Sequence, residues 1–168
     1  MLCYLEHPSP LGILLLASTE QGLCGLYFSD HKYFKGKDGW RNEPEHRHLT
    51  RAARQLDEYF AGQRTTFELQ LHMIGTDFQR AVWQGLLAIP YGETVSYGMQ
   101  AQRIGHPNAV RAVGAANGRN PISIIVPCHR VIGASGKLSG YAGGLEHKHY
   151  LLAFEKRTLG QQLLPLFQ

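Results

Sequence analysis

Between Pro121 and Pro127 the chain reads Ile-Ser-Ile-Ile-Val, an apolar stretch closed by proline at both ends. Proline lacks a backbone N–H and has a fixed φ, so each marks a place where a ladder or helix must stop. Such a run suits a short buried strand and is too brief for a helix. It therefore predicts an interior element that delivers the next residues to a fixed place. Those residues are Cys128-His129-Arg130-Val131, succeeded by a glycine-rich segment from Gly133 to Gly144. A free thiol is most often an inert core residue. Two polar residues directly after this one, and a loop of the kind that shapes ligand sites, weigh toward a working cysteine.

The chain before Gly75 reads as a small α/β unit. LGILLLAS and GLCGLYF are strand-like runs with a turn at Glu20-Gln21-Gly22. The polar stretch His31 to His48 reads as a loop. LTRAARQLDEYFAG places Leu49, Ala52, Ala53, Leu56, Tyr59 and Phe60 on one helical face, with Gly62 as the stop. TTFELQL reads as a short strand.

From Thr76 the periodicity turns helical. Thr76-Asp77-Phe78-Gln79 has the form of a capping box, opening a helix with Val82, Trp83, Leu86 and Leu87 inward. Pro90-Tyr91-Gly92 ends it. Ser96 can cap a second short helix running through Ile104 to a Gly105 stop. Pro107 sits where a third should begin, running to about Ala116 with Val110, Val113 and Gly114 toward the core. Two short helices about a glycine turn make a helix-turn-helix candidate, a pattern common to many helical domains. Arg111 stands among small neighbours there. It is either a solvated side chain or one on a helix that approaches another surface closely. The expected architecture is an α/β N-terminal lobe, residues 1–75, and a mainly helical C-terminal lobe with a helix-turn-helix, residues 76–168.

Charge is divided unevenly between these parts. Residues 1–75 carry eight Lys/Arg against nine Asp/Glu, and residues 76–168 carry nine against four, so the net +4 is −1 in the first part and +5 in the second. A basic half suits a polyanionic partner. No apolar run approaches the ~20 residues that span a bilayer, so no membrane association is expected. The N-terminus MLCYLEHPSP has no basic segment followed by an apolar one, which predicts a cytoplasmic protein. The cysteines, Cys3, Cys24 and Cys128, are odd in number and lack a C-x-x-C pair, so neither a disulfide framework nor a four-cysteine zinc site is expected. Cys3 and Cys24 read as buried strand thiols. A site joining them to His31 or His72 has no support from spacing.

Cysteine reacts as the thiolate, and a nearby histidine can take its proton. Neighbours in extended chain point apart, so water can serve as the link between Cys128 and His129. In LEHKHYLLAFEKR, Leu145, Lys148/His149, Leu151/Leu152 and Glu155 share a helical stripe. That stripe turns Glu155 inward, where a carboxylate needs a partner. The partner is His129, fixing its tautomer, or an arginine such as Arg130 or Arg157.

PCHRV, with Asn120-Pro121 before it and Tyr141-Ala142-Gly143-Gly144 after it, resembles the active-site signature of the O6-alkylguanine-DNA alkyltransferases, the methylated-DNA–protein-cysteine methyltransferases. The likeness is close over residues 76–157, through TDFQRAVWQGLLAIPYGETVSYG, AVRAVGAANGRNPISIIVPCHRVIGASGKLSGYAGG and LLAFE. Earlier it is general, through SPLG at Ser9 to Gly12 and EYFAG at Glu58 to Gly62. The resemblance implies direct-reversal repair. An alkyl group on O6 of guanine, with O4-alkylthymine a further candidate, moves irreversibly to Cys128, once per protein and without a cofactor or metal.

It further implies that His129 deprotonates Cys128 through water with Glu155 behind it, and that Asn120 braces the turn. Tyr97 would help rotate the nucleotide and protonate the leaving guanine. Arg111 would fill the space left by the flipped base, and Gly98, Ala112 and Gly114 would let the helices lie close to the minor groove of double-stranded DNA. Val131, Tyr141 and Ala142 would line the base pocket. The protein would act as a monomer. Departures from the family pattern are Tyr150, where a tryptophan is common, and polar Asn117, where some members have an apolar pocket residue. Residue logic without the resemblance also admits a Cys-His-Glu thiol hydrolase and a DNA-binding sensor without chemistry.

Overall fold

The computed structural model describes residues 1–136 and 140–163. The chain forms two compact units. The first comprises Met1–Gly75 with Pro121–Ile125, and the second Thr76–Asn120 with Val126 onward.

The first unit is a four-stranded sheet with one helix. Strands β1 (Cys3–Ser9), β2 (Gly12–Thr19) and β3 (Gly22–Tyr27) form an antiparallel meander. Its register pairs Cys3 with Ser18 and Leu16 with Leu26. A two-residue strand, β4 (Arg41–Asn42), adds to β1 in parallel, inside the stretch expected to be loop. Helix α1 (Arg47–Phe60) starts two residues before the expected Leu49, because the side chain of His46 caps it by accepting from the His48 N–H. Its buried face holds Leu49, Ala52, Ala53, Leu56 and Tyr59; Phe60 is only half-buried. Gln55 joins that face because its amide exchanges two hydrogen bonds with the backbone of Glu68. That exchange leaves TTFELQL an extended strip rather than a strand, bridged to the sheet only at Leu71, opposite Leu23.

The second unit is helical: α2 (Asp77–Leu86), α3 (Tyr97–Arg103), α4 (Val110–Gly118) and α5 (Leu145–Leu163), with a parallel pair β5 (Val95–Ser96) and β6 (Val131–Ile132). The capping box at Thr76 is present in both directions. Val82, Trp83 and Leu86 are buried, and the Trp83 indole donates to the Ala116 carbonyl at 2.8 Å. Leu87, expected inward, is exposed because the helix has ended and turned. Ser96 caps α3 through the Met99 N–H, and Gly105 follows at φ 83°.

Helix α4 begins at Val110 instead of Pro107 and runs to Gly118. Its buried face is therefore Val113, Ala116 and Asn117, and Val110 is exposed. Buried Asn117 and Gln100 trade reciprocal amide hydrogen bonds of 2.8 and 2.6 Å, tying α4 to α3.

The proline-bounded stretch is not a strand. Ile122 makes one bridge, to Leu26, and Ile124 then adopts φ 70°, a left-handed conformation rare for a β-branched residue. Short i→i+2 turns come next at Ser123–Ile125 and Val126–Cys128. The side chains are buried as expected, but the path is a coil that joins the first unit and returns.

Candidate active site

Cys128 opens a single 3-10 turn, Cys128–Arg130, whose three side chains are all buried. The turn holds the three in place where an extended chain would splay them apart. Asn120, itself buried, closes the neck of the excursion. Its Nδ2 donates to the Val126 carbonyl at 2.8 Å and to Cys128 Sγ at 3.2 Å. Burial pushes the Cys128 thiol up to about 11, partly offset by the Asn120 hydrogen bond and the Lys148 charge. At neutral pH it is a thiol.

A candidate base stands next to it in sequence. His129 is fully buried, and its Nε2 lies 2.8 Å from Glu155 Oε2. Its Nδ1 is buried and makes no hydrogen bond among the described residues. With the carboxylate on Nε2, Nδ1 is the nitrogen left to take up a proton. Burial pushes the imidazole below its ordinary pKa despite the Glu155 hydrogen bond, so it rests neutral. No direct hydrogen bond joins His129 to Cys128 among the described residues.

Glu155 has both of the partners that its inward position called for. Arg130 donates from Nε to Oε1 at 2.9 Å and from Nη2 to Oε2 at 3.0 Å, a bidentate pair, and from Nη1 to the Ile89 carbonyl at 2.7 Å. The Gly92 N–H adds a bond to Oε1 at 3.3 Å. Gly92 has φ 78°, a left-handed conformation that favours glycine. Burial alone would push the Glu155 carboxyl up. The hydrogen bonds and charges from His129 and Arg130 outweigh it and hold the group well below the carboxylate range. The inward stripe of α5 is Lys148, Leu151, Glu155 and Thr158, while Leu145 and His149 are exposed.

Lys148 is a member of this cluster that residue patterns did not single out. Its side chain is fully buried, with Nζ 3.3 Å from the Gly140 carbonyl and 5.9 Å from the centre of the Tyr97 ring. Burial pushes its amine down, against the pull of Cys128. The signal was its position seven residues before Glu155, on the same stripe.

Tyr97 begins α3 directly after β5, and β5 pairs Val95 with Val131, so one two-stranded ladder ties Tyr97 to the segment leaving the cysteine turn. Gly114 of α4 faces Tyr97: a Cβ there would stand 3.7 Å from its ring. Arg111, Ala112 and Gly98 are exposed, with Arg111 and Ala112 in the first turn of α4 and Gly98 in the first turn of α3. Val131 and Ala142 are buried and Tyr141 half-buried. Residues 137–139 of the glycine-rich segment, including Lys137, lie outside the described residues.

A buried thiol held by an amide, with a neutral imidazole fixed by an ionised carboxylate, has the make-up of a cysteine nucleophile with a candidate base. Beside it is a pair of short helices with an arginine exposed on the second. The comparisons with known proteins narrow that class. Residues 77–157 match the family model described as 6-O-methylguanine DNA methyltransferase, DNA binding domain, and residues 3–73 match that of its ribonuclease-like domain. The chain belongs to the 6-O-methylguanine DNA methyltransferase family.

A methylated-DNA–protein-cysteine methyltransferase of Mycolicibacterium paratuberculosis is 52% identical over 157 residues, 94% of each chain. One from Methanosarcina acetivorans is 51% identical, over 90% of this chain and 97% of the relative. The crystal structure of Mycobacterium tuberculosis OGT in complex with DNA superposes with TM-score 0.87 at 50% identity, covering 93% of this chain and 94% of the other.

Proposed function

We propose that the protein repairs DNA by direct reversal, moving the alkyl group from O6 of guanine to Sγ of Cys128. The observation that carries this reading is the cysteine turn: Cys128 and His129 on one 3-10 turn, with Asn120 on the sulfur and Glu155 on the imidazole. His129 draws the thiol proton through a water that meets its open Nδ1, and Glu155 stabilises the imidazolium. The thiolate attacks the methyl carbon. The S–C bond forms as the C–O6 bond breaks, and the electron pair passes to the guanine oxygen. Tyr97 helps supply the proton that leaves guanine neutral. A thioether is not hydrolysed by water, so each protein acts once and needs no cofactor.

The target lies within a duplex, so the base must leave the stack at a cost of a few kcal/mol. Exposed Arg111 fills the gap, with α3 and α4 acting as a helix-turn-helix against the minor groove. Small residues Gly98 and Ala112 keep the approach close, and Gly114 gives Tyr97 its room. Val131, Tyr141 and Ala142 receive the flipped guanine. The protein works as a cytoplasmic monomer. No helix of the described residues is long and apolar enough to cross a membrane.

The test is intact mass after incubation with a short duplex carrying one O6-methylguanine. The expected result is a gain of one methylene unit per protein, mapped to Cys128 and absent in Cys128→Ala, which still binds the duplex. No mass gain with binding intact would overturn the reading in favour of a sensor. Turnover beyond one per chain would overturn it in favour of a hydrolase.

A further inference from the structure

The sheet unit carries a second cluster of reactive side chains, unrelated to Cys128. Cys3 on β1 is buried, and its thiol donates to Glu43 Oε2 at 3.1 Å. Ligand atoms of Cys3, Glu43 and His46 all lie within 4.8 Å of one another. Glu20, exposed and outside this group of three, borders it: its Oε1 stands 3.3 Å from His46 Nε2.

The backbone fixes each of these groups. Glu43 is set beside Cys3 by the parallel β1–β4 ladder, through Arg41 N–H to Leu2 O at 2.9 Å and Glu43 N–H to Tyr4 O at 3.1 Å. His46 comes next in a turn closed by its N–H to Glu43 O at 3.0 Å. The His46 ring is held by its capping role, in which Nδ1 accepts from the His48 N–H, and this leaves Nε2 for a ligand. Glu20 occupies the β2–β3 turn, and its carbonyl is held by His48 Nε2 at 3.2 Å. Segments distant in sequence, at residue 3, residue 20 and residues 43–46, thus converge through main-chain contacts and the His48 side chain.

Arg41 Nε lies 3.5 Å from Glu43 Oε1, so that carboxylate already has one cation at the rim of the cluster. A divalent cation would take the place of the Cys3 thiol proton that now bonds Glu43.

We infer that Cys3, Glu43 and His46, with Glu20 as a fourth donor, form a binding site for a zinc-class divalent cation. One sulfur, one imidazole nitrogen and carboxylate oxygens are a donor set for zinc rather than for calcium or magnesium, which take oxygen alone. A tetrahedral zinc keeps its donor atoms roughly 3.5 Å apart, so the cluster closes by about an ångström on loading. The Cys3 proton is released to solvent as the S–metal bond forms, and affinity rises with pH. The ion clamps β1, β4, the start of α1 and the β2–β3 turn. It is structural and distant in chemistry from alkyl transfer. Spacing gave no hint of it, because the four donors come from positions 3, 20, 43 and 46 with no motif between them.

The experiment is titration of the metal-free full chain with Co2+, read by the thiolate-to-cobalt absorption band, then competition with Zn2+. One Co2+ per chain is expected, with the band unchanged in Cys24→Ser and Cys128→Ser and lost in Cys3→Ser. Glu43→Gln keeps the fold, since Glu43 lies at the surface edge, and should weaken binding at least tenfold. Loading should raise the thermal midpoint of the wild type and not that of Cys3→Ser. Absence of the band in the wild type would overturn the site. So would its loss in Cys24→Ser or Cys128→Ser with retention in Cys3→Ser, or wild-type affinity in Glu43→Gln.

Discussion

His129 and Glu155 meet at 2.8 Å with both side chains completely buried, and the same carboxylate takes two further bonds from Arg130. The imidazole is therefore oriented by a group that is itself neutralised by a permanent cation. Glu155 can steady a passing imidazolium without holding one in the resting state. An imidazole that rests neutral beside a thiol near 11 gives the proposed base a definite pH signature.

Single-turnover transfer should be nearly level between pH 7 and 9 in the wild type, because the base is already free and the thiol loses its proton only during reaction. In His129→Gln the thiolate must form by simple ionisation. Its rate should be lower throughout and climb roughly tenfold per pH unit over that range. Rapid-quench transfer from a methylated duplex separates the two. A wild-type profile as steep as the variant's would remove His129 from the role of base.

Stability should fall on the acid side. Both His129 and Glu155 have folded pKa values below their unfolded ones. Each therefore contributes stability that is present above its unfolded pKa and lost as pH falls toward its folded one. For His129 the decline begins below about pH 6.5, and for Glu155 below about pH 4.3. Urea midpoints from pH 8 to 4 should show the first decline in the wild type and a shallower one in His129→Gln.

Glu155→Gln removes the partner of a buried guanidinium. Its expected cost is about 3–5 kcal/mol, larger than the loss of one hydrogen bond, because Arg130 keeps its charge. Equilibrium unfolding measures it. The double change Glu155→Gln with Arg130→Met should recover part of the loss. If the single variant is as stable as the wild type, the pair does not hold the cysteine turn.

Gln100 and Asn117 satisfy each other inside the α3–α4 pair. Asn117→Leu strands the Gln100 amide and should cost about 1–3 kcal/mol. Gln100→Leu should cost a similar amount, and the double variant less than the two added together. A double-mutant cycle by chemical unfolding reads this coupling. Additive costs would mean the amides are solvated independently.

Arg111→Ala should slow transfer from duplex DNA by tenfold or more and weaken duplex binding, yet leave transfer from the free modified base within twofold. The residue is exposed and has no part in the core, so folding should be unaffected. Equal rates for duplex and free base, relative to wild type, would remove it from the extrusion step.

The elements that could be read from the sequence were those with local signals. The Thr76 capping box, the Ser96 cap and the Gly105 stop each rest on contacts within four residues. The inward placing of Glu155 came from one helical stripe. Features set by distant partners were concealed. Apolarity correctly marked Ile122 to Val126 as interior, but their coil depends on Leu26 and on the turn at Ile124. Leu87 and Val110 look like core residues until the helix ends are known. Lys148 shares its place on the stripe with His149 until the Gly140 carbonyl and the Tyr97 ring are seen to meet it. The cluster at Cys3 was invisible because parallel pairing of β4 with β1 has no signature in a two-residue strand.

The excursion of Pro121–Ile125 also bears on how such a chain can be inherited. Two family models meet near Gly75, as if two modules had been joined end to end. Yet the sheet unit is completed by five residues that arrive from the middle of the second, through the Leu26 N–H to Pro121 carbonyl bond and the buried side chains of Ile122 and Ile124. A gene broken at that junction would yield one piece lacking part of its interior and another carrying isoleucines with no cover. A chimaera that takes either half from a distant relative must therefore carry a strip that fits the sheet it completes.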